Sequence, residues 1–154
     1  MDPDLGRHQH MSRFLRITII LLGTVLAIQA HAAECTRFEP ALTELTGKLV
    51  LRDYPGPPNF ERIEAGDQRE TAWILVLDAP LCVDGDPTSE INTESVANVT
   101  EGQLVLTAES PSLTPFRERA LQVSGRLFAA HSGYHRTPVL ITVDSLSRKD
   151  AESK

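Results

Sequence analysis

Two histidines, His131 and His135, flank Ser132-Gly133-Tyr134 near the end of the chain. Imidazoles four residues apart across a turn can face each other and, with a carboxylate as third ligand, hold a divalent metal. Catalytic zinc wants three protein ligands, however, and neither HExxH nor CxxC occurs. The pair therefore reads first as hairpin-tip residues with one ring bonded to backbone, and as a metal site only in second place. No cofactor is implied. A second group is aromatic: Tyr54 and Phe60 enclose Pro55-Gly56-Pro57-Pro58-Asn59. Together with His131, Tyr134 and His135 they could form one face for a partner peptide, a glycan or another small ligand, with Trp73 nearby. The opposing reading makes Trp73 and Phe128 core residues and the prolines mere stiffeners of a long loop.

Catalysis has little support. There is no G-x-S-x-G, and two cysteines joined to each other supply no nucleophile. Asp78, Asp84, Asp86 and Glu90 include a D-x-D but not the twelve-residue calcium-loop pattern. Glu61, Glu64 and Asp67 read as a solvated loop face, and Asn98-Val99-Thr100 matches a glycosylation sequon.

Composition narrows the class. Of 154 residues, 23% are charged, and the formal net charge is −6. Phosphate backbones need clustered Lys and Arg, so nucleic acid is excluded as a partner. The first segment reads as an address. Arg13 and Arg16 precede an apolar run from Ile17 to Ile28, and Ala30-His31-Ala32 supplies small residues for a peptidase. The run falls short of the roughly 18 residues a membrane span needs. Residues 1–32 are thus expected to be a cleaved signal peptide, the alternative being an uncleaved anchor. Met11 opens a more ordinary leader than the polar ten residues before it and is the expected start. The destination is the periplasm or the exterior, with no membrane span after cleavage.

Both cysteines, Cys35 and Cys82, follow the leader. In an oxidising compartment an even count reads as one disulfide. Two free thiols or a two-Cys metal site are the alternatives. In the chain-entropy picture such a bridge stabilises by about 4 kcal/mol.

The elements that must position these groups are strands. Leu45, Gly47, Leu49 and Leu51 alternate with Lys48 and Arg52, a period-two pattern that the Tyr54–Asn59 stretch breaks. Thr71–Leu77 is apolar on both faces and is expected to end at Asp78-Ala79-Pro80. Polar residues from Asp84 to about Asn98 read as a surface excursion. A third strand lies within Val99–Thr107. Ser110-Pro111-Ser112 is expected to cap a short helix through about Arg119. Leu121–Ala129 and Val139–Asp144 alternate as a hairpin around Gly133. The resulting order, β-β-β-α-β-β over residues 33–146 with a polar tail at 147–154, is that of a small five-stranded OB-like barrel. Gly47 and Gly125 suit its bends. An SH3-like barrel or an open sandwich is the alternative.

Three stretches carry a resemblance: Tyr54–Phe60, Trp73–Cys82 and Val123–Leu140. Together they resemble the uncharacterised bacterial family numbered 4431 among domains of unknown function, from about Phe38 to Asp144. Family members carry a denser histidine run, H-T-G-H-H-H, in the last turn. Here Tyr134 and Arg136 stand at positions that are His in that pattern, which weakens a metal reading. The resemblance implies class and localisation but no activity. The expectation is a non-enzymatic exported binding or protein-interaction module, its partner another envelope protein or a small ligand. A metal- or small-ligand-binding protein centred on His131 and His135 is the alternative, and an envelope-polymer hydrolase a distant third.

Overall fold

A computed structural model describes residues 34–149. The expected signal peptide and the Met11 start lie outside them. The chain forms six strands: β1 (Thr36–Arg37), β2 (Leu42–Pro55), β3 (Arg69–Asp84), β4 (Val96–Val105), β5 (Ala120–Ala129) and β6 (Val139–Arg148). All belong to one sheet, in the order β1-β3-β2-β5-β6-β4, with a further pairing between β3 and β4. The five long strands therefore pair in a cycle. Only β4–β6 within that cycle is parallel; the other four pairings are antiparallel.

The cycle works because β2 serves two partners. Leu42–Lys48 pairs with β5, and Gly47–Pro55 pairs with β3. Gly47 sits at the handover, where a Cβ would collide with the Val76 carbonyl oxygen. Gly125 lies next to the register shift between β5 and β6, and a Cβ there would collide with the Thr142 carbonyl oxygen. Both glycines do what their place inside strands implied: they admit a neighbouring backbone too close for any side chain.

The alternation seen in the sequence directs Leu45, Leu49, Leu75, Leu104, Leu121, Val123, Leu127, Ile141 and Val143 into one buried core. Trp73 is packed against the same core. It pairs with Leu51 and Leu104 and so shares their inward face. A second apolar row runs on the outer face: Ile74 pairs with Gln103, Gln103 with Leu140, and Leu140 with Phe128. Ile74 and Leu140 are fully buried there, so something must cover that face.

Several boundaries differ from the sequence reading. A two-residue strand, β1, pairs parallel with the end of β3. β3 does not stop at Asp78–Pro80 but continues to Asp84. Those three residues fall in the gap between paired registers on both flanks, where the missing N–H of Pro80 leaves no ladder bond unmade. β2 continues through Tyr54 and Pro55, which pair with Glu70 and Arg69. The helix expected over Ser110–Arg119 is absent; one 3₁₀ turn, Thr114–Phe116, stands in its place. Pro115 occupies that turn, and two backbone bonds, Glu118 N to Leu49 O and Leu49 N to Arg119 O, draw the following residues onto β2 instead. β6 includes Ser147 and Arg148, two residues into the stretch read as a tail.

The cysteines are joined, Cys35 to Cys82, across 47 residues with Cα atoms 4.8 Å apart. The bridge ties the segment that enters β1 to β3.

Candidate functional site

The outer face is covered by two segments, the loop from Gly56 to Gln68 and the turn from Ala130 to Pro138. Each is held by specific polar groups. In the first, Gly56 N–H donates to Gln68 O and Gln68 N–H to Pro57 O, closing the loop at its neck. Asp67, expected among a solvated loop face, is instead 5% exposed. Its Oδ1 accepts from Asn59 N and Nδ2 at 3.0 and 3.1 Å, and its Oδ2 from Glu61 N and Arg62 N at 2.8 and 2.9 Å. Burial pushes this carboxyl up, but the donated hydrogen bonds outweigh it and hold its pKa below the usual value.

Those bonds bracket Phe60, whose φ is +60°. A bulky residue in the left-handed region is strained and persists only where its surroundings over-determine it. Asp67 supplies that constraint by fixing the amides of Asn59 and Glu61 on either side. The result aims the Phe60 ring at the second segment.

In the turn, Gln103 of β4 is the clamp. Its Oε1 accepts from Arg136 N at 2.6 Å and its Nε2 donates to Tyr134 O at 3.2 Å. Gln103 N–H donates to Thr137 Oγ1 at 2.8 Å, and that buried hydroxyl donates to Val139 O at 2.7 Å. Gln103 lies in the outer row between Ile74 and Leu140, so the clamp draws the turn over the apolar residues that needed cover.

The two segments meet. The rings of Phe60 and Tyr134 stand edge to face with centroids 5.2 Å apart. The Arg136 guanidinium carbon lies 5.3 Å from the Tyr54 ring centre and 5.7 Å from that of Phe60. Tyr134 is still 53% exposed. Beneath them Arg52 makes a two-pronged ion pair with Glu101, at 2.6 and 2.7 Å. Arg52 stands opposite Ala72 and Glu101 opposite Val76, so the pair crosses β3 over Ile74. Its hydrogen bond to Glu101, with a smaller contribution from Tyr54, raises the Arg52 pKa still further above the working range.

Phe60 and Tyr134 thus meet, with Tyr54 joined to them through Arg136, whereas the two histidines stack on each other and on Phe128. Trp73 is not among them, because strand parity turns it inward. Phe128, read as a core alternative, faces outward beneath the histidines, 5.8 Å from the His131 ring and 5.6 Å from that of His135. Sequence reasoning gave no role to Gln103 or Arg136, though a cation next to Tyr134 was a usable signal. It also passed over Asn92, which is buried in the 85–95 loop. Asn92 Oδ1 accepts from Ala129 N at 2.8 Å and pins that loop to the end of β5.

The histidine rings are 4.5 Å apart. His131 N–H donates to His135 Nδ1 at 3.0 Å, and His131 Nδ1 lies 3.0 Å from Ala129 O. An Nδ1 that accepts must be unprotonated, so neutral His135 carries its proton on Nε2 and has no lone pair left for a metal. Only His131 Nε2 remains available. Among the described residues no group of three or more His, Cys, Asp or Glu is placed to hold a metal ion. Burial, and then the neighbouring His131, lower the His135 pKa.

A larger open cavity of about 840 Å³ lies elsewhere, between residues 37–41 and the 84–87 stretch, and shares no lining residue with these two segments.

The model of a family described as a domain of unknown function, DUF4431, matches residues 101–147. The resemblance drawn from the sequence therefore holds from Glu101 through β5, the histidine turn and most of β6. The match includes Gln103, His131, Tyr134, His135 and Arg136; the Tyr54–Phe60 and Trp73–Cys82 motifs lie before it. No curated protein and no solved structure matches the chain.

Proposed function

We propose that the chain is an exported, non-enzymatic binding module that engages a partner in the periplasm or outside the cell through the Tyr54–Phe60 and Tyr134–Arg136 face. The scaffold is read as an OB-like barrel: β2, β3, β4, β5 and β6 pair in the order 2-3-4-6-5 and back to 2, and folds of this kind bind with the loops that flank one face. The disulfide is compatible with an oxidising compartment. No described helix is long and apolar enough to cross a membrane.

One observation carries the reading. A strained Phe60, fixed by the Asp67 cradle, meets an exposed Tyr134 that the Gln103 clamp holds. Strain together with two dedicated polar clamps is more than a loop needs merely to connect strands. Aromatic residues held rigidly at a surface are the anchors that binding sites use.

The test immobilises residues 33–154 with the disulfide formed and compares envelope proteins captured by the wild type and by Tyr134→Ala. The expected result is a partner held by the wild type and lost by the variant at a nearly unchanged melting temperature, since an exposed tip contributes little burial beyond the ring contact with Phe60. Absence of any specific partner, or equal capture by both, overturns the reading.

A further inference from the structure

Arg136 stands apart among the described cations. Lys48, Arg52, Arg69, Arg126 and Lys149 each face a carboxylate. Arg37, Arg62, Arg117, Arg119 and Arg148 have no carboxylate partner and are exposed, whereas Arg136 is only partly exposed. Its guanidinium is held by the Tyr54 and Phe60 rings and donates to no acceptor among the described residues. Five N–H donors in a fixed fork, partly screened from water by two ring faces, match a carboxylate.

The space beside it has a matching character. A groove of about 210 Å³ is lined by residues 97–101 of β4 and by Arg136, Thr137 and Pro138. β4 pairs with β3 along most of its length but with β6 only at Gln103, Leu104 and Val105. From Val96 to Gly102, then, the β6 side of β4 carries no strand. Gln103 N–H points to that side, since it reaches Thr137 Oγ1. The two-residue alternation of a strand directs the main-chain groups of Glu101 the same way, while Val99, whose side chain enters the core beyond a register shift, falls outside that alternation. A free strand flank of this kind is a template for an added peptide strand.

We propose that this groove takes an extended peptide by strand addition to β4, with one carboxylate of the peptide held by Arg136. This deepens the proposed function and rests on that reading of the face. The volume is below the roughly 300–1,000 Å³ of pockets for drug-sized ligands, so it seats one or two residues rather than a long segment. The net charge of −6 repels polyanions while tolerating a single carboxylate. A free phosphate would satisfy Arg136 but leave the main-chain groups of β4 unused, which is why a peptide is favoured.

The experiment titrates ¹⁵N-labelled residues 33–154, disulfide intact, with a capped pentapeptide carrying one central Asp, with its Asn counterpart, and with inorganic phosphate. Amide shifts along residues 97–101 and a shift of the Arg136 Nε–H are expected with the Asp peptide. Its affinity should exceed that of the Asn peptide by about tenfold or more, the range of a charge-assisted pair. Arg136→Gln should remove that preference. Thr100→Glu, at an exposed position on the groove, should weaken the Asp peptide without disturbing the fold, and it decides the matter if Arg136→Gln does not fold. Equal binding of the two peptides overturns the proposal, as does a phosphate response at Arg136 with no peptide response along β4. If the peptides bind nowhere while Tyr134→Ala still loses its envelope partner, the strand-addition inference falls and the binding face stands. If that partner is also missing, both fall.

Discussion

A histidine pair suggests a metal from its spacing alone, and here one ring already spends a nitrogen on the amide of the other. The His131 N–H bond to His135 Nδ1 requires a neutral ring, and burial also disfavours the charged form. The folded pKa of His135 therefore lies below its ordinary 6.5. Between the two values the unfolded chain binds the proton more readily, so stability falls as pH drops. His135 contributes fully above pH 6.5 and progressively less as pH falls through the folded value. The shifted carboxylates Asp67, Asp78, Asp86 and Glu118 are lowered from 3.8 or 4.5 and act in a more acidic window. Thermal melts from about pH 7.5 to 5.5 should thus show a falling melting temperature, and His135→Gln should flatten that slope. An unchanged slope in the variant would show that the ring is not held neutral. At this scale the sequence was legible for residue types that stand out, Tyr54, Phe60, Tyr134 and the histidines. It was not legible for Asp67, Gln103 and Arg136, whose roles come from partners between 5 residues (Asp67 to Arg62) and 82 residues (136 − 54, Arg136 to Tyr54) distant along the chain. No local pattern marks a carboxylate that will be surrounded by amides rather than water.

Strands were the most readable feature, because alternation directly reports which face is buried. Leu45, Leu49, Leu121, Val123 and Leu127 all went where their spacing sent them. Ends were harder. Pro80 looked like a stop, but β3 passes through it because neither neighbour needs its missing donor. The apolar double face of Thr71–Leu77 signalled a strand covered on both sides, though not that the second cover would be a turn clamped by Gln103. The helix over Ser110–Arg119 failed for the opposite reason: a favourable cap cannot compete with a segment drawn into backbone bonds with Leu49. The glycines at the strand junctions give the sharpest test. Gly125→Ala forces β5 away from the Thr142 carbonyl. Overpacking of this kind costs about 1–3 kcal/mol, which for a domain of this size lowers the melting temperature by several degrees. A denaturant titration showing no loss would mean that β5 and β6 slide apart more freely than their pairing implies.

At the scale of the molecule, a cycle of five strands surrounds one apolar core, and the chain enters it through a very short strand. β1 makes only two residue pairs with β3. It is followed by Phe38, which belongs to the buried core, and by Glu39, whose N–H donates to Leu127 O. Two pairs hold little alone, so the Cys35–Cys82 bond should carry much of the anchoring. Replacing both cysteines by Ser is expected to lower stability by about 2–4 kcal/mol, read as a shifted urea midpoint. Hydrogen exchange should then quicken first at residues 36–39 and 83–84. Uniform protection in the reduced protein would show that packing of Phe38 suffices.

That bond has a consequence for when the fold is finished. If its loss frees β1, the end of β3 keeps β4 on one flank but is bare on the other, beside the emptied seat of Phe38. Such a species is prone to pair with other copies. Sealing of that flank is then a matter of thiol chemistry as well as of packing.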